Sequence, residues 1–576
     1  DVIQYDSDDN GSIDALAFIH GRTSSTEYTV KDKNGNAPTA VTSDYDWAIY
    51  RAYTSLANWE SQTENPNITE PVENDVNPSP NLAAYNTIMN VACYGDGADT
   101  TSVNIDGWTT GANNYIKIYT PYLSSEVGAS QRHNGKWDNG KYRLEVTSDT
   151  SSAISDSANY IRIEGLQVSM TVNANANDVI YFGVASAGEV WISKCIIKAI
   201  IGGTATNLAG ISSWNASASL VVKIWNNIFY DFIRSTAKIM TVYNDTATTY
   251  AYNNTLQNVY QGFRQDVGGG TFVVRNNIVQ DASDDGYVGT FDGSSDYNIS
   301  NLANDAPSPS YRSNLATAVN FADKANDDFH LVSTDTGAKD YGADLSSDTD
   351  LAFSDDIDGE TRPTGPGTWD IGADEYIIPA TTTLGDGTDP GNSTVAPGSV
   401  DQYLDQFTFV TDSGSDSVSA LTVTTANTAA IASMEIWNDA LTTQYFSTVS
   451  SPVGNDWSFS GGTPIPVTTS SASFRVRFTA KDHAALAAGT YAVTGTVTSF
   501  TCTNSQGGTD TDSATITVDN DPPADASWGT ITPGNTQIEL NWSNPGDADF
   551  NKVLILRRAG SAVGDAPTDG TEYNVN

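Results

Sequence analysis

Basic residues are scarce in this chain. Its 576 residues include 27 lysines and arginines against 70 aspartates and glutamates, which gives a formal net charge of −43. A surface this acidic repels the phosphates of nucleic acids and anionic membrane lipids, so neither is expected as a partner. The same charge favours solubility, cation binding and an extracellular location.

Cysteine is nearly absent, and long apolar runs are missing. Cys93, Cys195 and Cys502 lie far apart without metal-ligand spacing, which excludes a disulfide framework. No apolar stretch is long enough to span a bilayer. Because the chain opens on Asp1 without a methionine or a basic leader, we expect an extracellular or cell-surface protein whose signal peptide has been removed.

What the sequence does contain is a repeated pattern of apolar residues, a phrase that occurs five times between Ile161 and Val279. Each copy has two apolar positions spaced two apart, a bend residue, and a third apolar position beyond it. The period of two marks one face of a strand, and the longer step marks a turn. The bends recur at nearly constant intervals of about one solenoid coil; they are Gly165, Lys194, Asn226, Asn253 and Asn276.

This repetition predicts an all-β fold whose main part is a right-handed parallel β-helix. A set of antiparallel strands is the alternative, but hairpin turns would not recur at such regular distances. Asparagine tolerates the left-handed backbone that a sharp bend needs. We therefore expect Asn226, Asn253 and Asn276 to stack as a ladder of hydrogen-bonded amides along the axis.

The N-terminal stretch carries oxygen ligands in the spacing of a calcium-binding loop. Asp6, Asp8, Asn10 and Asp14 occupy loop positions 1, 3, 5 and 9, and they predict a Ca²⁺ site. Position 12, normally a bidentate glutamate, is Ala17, so a solvated acidic turn is the alternative. Residues 1–60 are predicted to form an N-terminal segment and a cap, with a short helix that Ser55 caps.

Between the cap and the repeats, residues 132–138 combine a histidine, two basic residues and a tryptophan in one loop. This is the clearest local concentration of positive charge beside an aromatic ring. An exposed turn is the preferred interpretation, and a sugar subsite is the alternative.

Three motifs follow the repeats: DDFHL at 327–331, DDIDGETRP at 355–363 and WDIGADEY at 369–376. In this order they resemble the closing part of choice-of-anchor (Q-type) β-helix proteins, which are secreted bacterial surface proteins. The resemblance implies a right-handed β-helix displayed outside the cell, and it implies no particular catalytic activity. From the residues alone, Asp355, Asp356 and Asp358 are predicted to pair with Arg362, with a bound cation as the alternative.

The remaining chain alternates short apolar strands with polar turns, which predicts an antiparallel β-sandwich over 377–520. Residues 521–576 resemble the start of a fibronectin type III domain, through SWG at 527–529, IELNW at 538–542 and VLILR at 553–557. Only about half of such a ~100-residue domain is present. Its apolar face, predicted to be open for strand addition by a second copy of the chain, comprises Leu540, Trp542, Val553 and Ile555.

The predicted domains are thus 1–60, a β-helix with its C-terminal cap over 61–376, the sandwich over 377–520, and the partial domain over 521–576. We expect a structural surface protein that assembles head to tail with copies of itself into an extracellular filament. One alternative is a monomeric adhesin that binds extracellular glycans. The other is a polysaccharide lyase or hydrolase, whose candidate catalytic residues would be Arg264, Asp266, Asp281, Asp284 and Asp285.

Overall fold

A computed structural model describes most of the chain in two compact units, Asp1–Ile377 and Ile378–Asn576. The residues outside the description are 43–45, 70–71, 73–75, 175–177, 184–186, 206–207, 215–218, 236, 244–245, 267–269, 308–311, 314–318, 366–368, 523, 547–549, 551, 559 and 565–576. Strands dominate both units, and the predicted all-β fold class is confirmed. No helix among the described residues has the length and apolar character needed to cross a membrane.

The first unit begins with a four-stranded antiparallel sheet and two short helices. The strands, in sheet order, are Tyr28–Lys31, Ala15–Arg22, Val2–Tyr5 and Ala48–Tyr50. The helices are Leu56–Glu60 and Leu82–Tyr85. The Ser55 hydroxyl accepts a hydrogen bond from the Asn58 amide, which confirms the predicted cap of the first helix. Trp59 of that helix stacks on Trp108 and is buried in the main core.

Two parallel sheets follow, and the chain alternates between them. The seven strands of the smaller sheet are Met89–Ala92, Ile116–Tyr119, Tyr160–Glu164, Gly188–Ser193, Leu220–Trp225, Thr248–Tyr252 and Thr271–Arg275. The fourteen strands of the larger sheet are Ala98–Asp99, Val103–Ile105, Arg143–Thr147, Ile154–Asp156, Gln167–Val172, Asp178–Phe182, Ile196–Ile201, Ala209–Trp214, Ile228–Phe232, Lys238–Tyr243, Thr255–Gln265, Ile278–Val288, Ile299–Ser300 and Arg312–Ser313. We call these two sheets the parallel stack.

The five repeated phrases stack in the register that the sequence predicts. Positions occupied by Ile161, Val190, Val222, Thr249 and Phe272 pair in succession across the smaller sheet. The two further apolar positions of each phrase pair in the same way, the second of them across the larger sheet. All of these side chains are buried, so one continuous apolar core runs through the coils.

All five bend residues adopt the left-handed backbone, with φ between 49° and 75°. Tyr297 repeats the bend one coil later, at φ 56°. The left-handed backbone lets a strand of the smaller sheet end and a strand of the larger sheet begin within three residues. The right-handed sense of the whole coil stays a prediction.

A continuous amide ladder lies one residue beyond the bends, at Asn227, Asn254, Asn277 and Asn298. Each side-chain NH₂ group donates to the amide oxygen of the next asparagine at 3.0 Å. The same oxygens accept the backbone N–H groups of Asn227, Asn254 and Asn277. These buried amides therefore satisfy one another and the backbone at the sharpest point of each coil.

The predicted ladder residues, Asn226, Asn253 and Asn276, point the other way. One amide-to-amide bond joins them, from Asn276 to Asn253 at 3.0 Å. Their amide groups also bond to backbone groups at Ala343, Asp355, Asp370 and Gly372, and Asn226 accepts from the Arg362 guanidinium at 3.3 Å. The bend asparagines thus fasten the following chain to the stack.

That following chain, residues 319–376, lies along the bends rather than over the last coil alone; we call it the flank segment. Its regular elements are the hairpin Phe321–Asp323 and Asp328–Leu331 and the 3₁₀ turn Lys324–Asn326 between them. Phe329 and Ile357 pack on Ile196 and Ile228, and Leu331 and Ile371 pack on Ile278 and Ile299. The segment therefore covers apolar side chains that the larger sheet directs outward.

The second unit contains two facing sheets, as the predicted sandwich requires. The six-stranded sheet, in order, comprises Gln444–Val449, Ile431–Asn438, Ala472–Ala480, Gln402–Thr411, Thr381–Asp386 and Ser505–Gly508. The five-stranded sheet comprises Ser393–Val395, Ile516–Asp519, Thr490–Thr501, Ser415–Ala426 and Asp456–Thr468. Two 3₁₀ turns, Thr428–Ala430 and His483–Ala485, join strands. The buried side chains between the sheets form one core.

The partial fibronectin-like region forms two small antiparallel ribbons. Ser527–Trp528 pairs with Trp542–Ser543, and Thr532–Pro533 pairs with Ile538–Glu539. All eight residues are exposed. The fibronectin identity of this region stays a prediction.

Candidate functional site

The outer face of the smaller parallel sheet carries a row of basic and aromatic side chains. Lys117, Arg162, Trp191, Lys223 and Tyr250 pair in register on five successive strands. Each lies between two buried residues of its strand, so the alternation of the strand directs it outward. Neighbouring strands are about 4.8 Å apart, so these five side chains form a continuous ladder on the surface.

The centre of this row is an arginine held between two aromatic rings. The Arg162 guanidinium lies 3.5 Å from the centroid of the Tyr115 ring and 3.8 Å from that of Trp191. Lys223 approaches the Trp191 ring at 5.5 Å. Stacking of this kind fixes the plane of the guanidinium and leaves its N–H edge available.

A second outward row, beside the first, contains Glu164, Ser193 and Trp225. The Glu164 carboxylate pairs with Lys117 at 2.9 Å and with Arg132 at 3.0 Å. Burial opposes ionisation of Glu164, but Arg132 and Lys117 outweigh it and lower the pKa of this carboxyl to about 2. Glu164 is therefore a fixed negative charge at neutral pH.

The flank segment supplies the opposite wall. Phe353 lies 6.4 Å from Trp225 between ring centroids, and the Asp355 carboxylate pairs with Lys194 at 2.5 Å. The two walls enclose a groove of about 350 Å³, which we call the ladder groove. Its lining residues are Tyr115, Lys117, Arg162, Ile163, Glu164, Trp191, Ser193, Lys194, Trp225, Phe353, Ser354 and Asp355. Three basic side chains thus meet two acidic ones in a chain whose net charge is strongly negative.

The loop at 132–138 lies beneath this groove, so the prediction of an exposed turn is wrong for its first residues. Arg132 and His133 are each 2% exposed. Arg132 reaches the Thr120 hydroxyl as well as Glu164, and the His133 ring contacts the Lys194 carbonyl at 2.9 Å. Burial lowers the pKa of His133 to about 4, so the neutral ring donates to that carbonyl. These partners are distant in sequence, which is why local composition suggested a turn.

The candidate catalytic residues lie elsewhere, on the larger sheet. Arg264 donates to Asp266 at 2.5 Å and to Gln261 at 3.0 Å, and Gln261 in turn donates to Asp284 at 2.6 Å. Asp285 follows Asp284, and partial desolvation together with the charges of Asp284 and Asp305 raises its pKa. Asp281 is separate, because it pairs with Gln257 and with Lys324 of the flank segment. The structure thus joins four of the five predicted residues in one neighbourhood.

The predicted calcium ligands Asp6, Asp8 and Asp14 place carboxylate oxygens within 4.8 Å of one another. Asp6 is fully buried and accepts the amides of Gly11 at 2.5 Å, Asp8 at 3.2 Å and Ser12 at 3.3 Å. Asp14 accepts the amide and the hydroxyl of Ser7. Asn10 is exposed. The carboxylates suit a hard cation, although backbone donors already engage Asp6, and calcium binding at this loop stays a prediction.

The predicted assembly residues lie on the exposed ribbons. Trp542 is 40% exposed and Ile555 is 41% exposed, whereas Leu540 and Val553 are half-buried. Trp528 and Trp542 together border a shallow depression of about 500 Å³. Some apolar side chains are therefore accessible here, and their role in assembly stays a prediction.

Sequence reasoning missed the ladder groove, although a signal was present. Arg162, Trp191, Lys223 and Tyr250 are the middle residues of four repeated phrases, between the two buried positions. The recurrence of large basic and aromatic side chains at this outward position is the signal. Comparison with family models, with curated proteins and with solved structures found no match, so the resemblance of 320–376 stays a prediction.

Proposed function

We propose that the parallel stack binds an extended acidic glycan along the ladder groove. The observation that carries this proposal is the in-register row of Lys117, Arg162 and Trp191 beside the half-buried Trp225 and Phe353. Lys223 continues the row outside the groove lining, where it pairs with Glu189 at 2.7 Å. Aromatic faces stack on the apolar faces of sugar rings, and basic groups pair with carboxylate or sulfate substituents. A ladder with one position per coil suits a ligand that is itself a linear repeat.

Binding is favoured over hydrolysis at this groove. A glycosidase needs a carboxylic acid that is protonated near neutral pH and a second carboxylate beside it. Glu164 has a pKa of about 2 and is held by two basic side chains, and Asp355 is paired with Lys194. These carboxylates orient the basic side chains and balance part of their charge.

The test is calorimetric titration of the full chain with polyuronate, sulfated and neutral oligosaccharides. We expect acidic ligands to bind, with weaker binding at higher salt. Trp191→Ala removes the stacking surface and the support of Arg162, so it should weaken binding about tenfold or more. Trp437→Ala is the matched control, because Trp437 also lies beside an arginine, Arg477, but in the second unit. Equal binding by both variants, or equal binding of neutral ligands, would refute the proposal.

Head-to-tail assembly into an extracellular filament is a second candidate. The observation that favours it is the exposure of the large apolar residues on the ribbons and in the stretch that follows them. Accessible apolar side chains on short two-stranded sheets with open outer edges invite strand addition. These residues are Trp528, Ile531, Ile538, Trp542, Leu554, Ile555 and Leu556.

Negative-stain microscopy and sedimentation of the full chain should then show polymers, and Trp542→Ser with Ile555→Ser should leave monomers. Trp437→Ser is the control and should still polymerise. Polymers that survive the double substitution, or deletion of 527–576, would exclude this joint.

A further inference from the structure

Five aspartates converge where the chain crosses between the two sheets of the second unit. Asp386 ends a strand of the six-stranded sheet, and Asp389 lies in the crossing to the five-stranded sheet. Asp510 and Asp512 lie in a second crossing, between Ser505–Gly508 and Ile516–Asp519. The two crossings run side by side, because the strands before them are parallel neighbours and so are the strands after them. Oxygens of Asp386, Asp389 and Asp512 lie within 4.8 Å of one another.

The fifth member, Asp405, is completely buried. It lies in strand Gln402–Thr411 at a register shift against strand Ala472–Ala480, and the shift places Leu404 and Asp405 inside in succession. Neither of its carboxylate oxygens has a hydrogen-bond partner among the described residues. Its charged neighbours are the carboxylates of Asp510 and Asp389, so the side chain is directed into the acidic cluster.

The negative charge of these five aspartates has little counter-charge nearby among the described residues. No described lysine, arginine or histidine forms an ion pair with any of the five aspartates. Asp510 accepts the Val497 amide at 2.7 Å through one oxygen, and its other oxygen is buried without a partner. Converging carboxylates repel one another, and a buried carboxylate without a hydrogen-bond partner is unfavourable, so a bound cation would stabilise this arrangement.

We propose that Asp386, Asp389, Asp405, Asp510 and Asp512 form a calcium site that ties the two crossings to the sandwich core. Calcium takes six to eight oxygen ligands in flexible geometry, which carboxylates from three separate segments can supply. Magnesium demands a compact octahedron and retains water, so it suits this dispersed set less well. The site is distinct from the loop at Asp6, and it would make the second unit depend on calcium.

The experiment uses the full chain carrying Asp8→Asn and Asp14→Asn, so that the N-terminal loop contributes no calcium signal. After chelator treatment, calorimetric titration with CaCl₂ should give saturable binding, and calcium should raise the unfolding temperature of the second unit. MgCl₂ should bind at least tenfold more weakly. Comparable affinity for the two ions would overturn the assignment to calcium.

Asp405→Asn keeps the shape of the buried side chain but removes its charge. We expect it to weaken calcium binding at least tenfold and to raise the unfolding temperature in chelator. Asp512→Asn, at an exposed position, should weaken binding without affecting the core, and it covers the case in which Asp405→Asn does not fold. Asp439→Asn is the control, because Asp439 is an acid of the same unit that already pairs with Arg475 at 2.8 Å. Unchanged calcium affinity in both Asp405→Asn and Asp512→Asn would refute the site.

Discussion

Buried acids occur in both units, and the flank segment balances its acids differently from the acidic cluster of the second unit. In the flank segment, Glu375 pairs with Arg362 at 2.7 Å, and both side chains are almost fully buried. His330 lies between Asp328 at 2.5 Å and Asp358 at 3.0 Å. In the second unit, the equally buried Asp405 has acidic neighbours and no hydrogen-bond partner among the described residues.

The difference shows where the chain supplies its own counter-charge. Arg362 donates to the carbonyls of Asp355, Asp370, Gly372 and Ala373 and to the Asn226 amide, as well as to Glu375. It therefore fastens the flank segment to a bend of the parallel stack without any ion from solvent. The acidic cluster of the second unit has no such residue, so its stability should follow the supply of a divalent cation.

The largest effect is expected from breaking the balanced pair. Arg362→Met leaves Glu375 buried without a counter-charge and removes the link to Asn226, so the first unit should lose about 3–5 kcal/mol of unfolding free energy. Urea unfolding of the full chain, followed by tryptophan fluorescence, measures this. Arg475→Ala breaks the partly exposed pair with Asp439 and should change the unfolding free energy by less than about 1 kcal/mol. If the two variants lose equal amounts of unfolding free energy, burial of the Arg362–Glu375 pair does not determine its contribution to stability.

A smaller effect should follow from removing a neutral buried group of the same stack. Asn254→Ala deprives the Asn227 backbone amide and side chain of their acceptor and removes the donor to the Ile224 and Tyr252 carbonyls. Orphaned buried groups of this kind should lower the unfolding free energy by roughly 2–3 kcal/mol. The exposed Asn326→Ala should change it by less than about 0.5 kcal/mol in the same urea titration. If Asn254→Ala lowers the unfolding free energy no more than Asn326→Ala does, the amide ladder does not stabilise the coils.

The last effect depends on pH. Burial disfavours the charged His330 ring, but Asp358, Asp374 and Asp328 outweigh this and raise its pKa from 6.5 to about 10. A raised folded-state pKa stabilises the fold fully below pH 6.5, and that contribution is lost as pH rises through about 10. The difference in unfolding temperature between the natural chain and His330→Gln should therefore shrink from pH 6 to pH 10. His20→Gln, at an exposed histidine, is the control. If the difference in unfolding temperature between the natural chain and His330→Gln does not change with pH, the His330 ring is not charged in the folded protein.

Much of the first unit was predictable because its signal is local and repeated. The alternation of Ile161 with Ile163 and its recurrence one coil later fix both the inward face and the parallel register, as observed. The motif at 355–363 suggested a buried arginine tie, and Arg362 forms one. Its carboxylate partner, however, is Glu375 rather than Asp355, Asp356 or Asp358. The identity of that partner depends on how the flank segment folds back on itself, which no local spacing encodes.

The ladder groove and the acidic cluster illustrate two further limits. Each outward residue of the groove could be read from its strand, but the wall containing Phe353 comes from a segment more than a hundred residues further on. Asp405 looks like any polar residue in an alternating strand until the register shift turns it inward. Burial of a single carboxylate is decided by a bulge and by two distant crossings.

By itself the sequence determined the all-β class, the stacking register of the coils and the left-handed bends. These properties follow from alternation and backbone sterics, which act within a few residues and repeat. Only the tertiary structure decided which asparagine of each pair faces the interior, which acid meets Arg362, and which aspartates converge without a base. Those outcomes depend on contacts between residues far apart in the chain, where desolvation and charge pairing are set by the packed neighbours rather than by the local sequence.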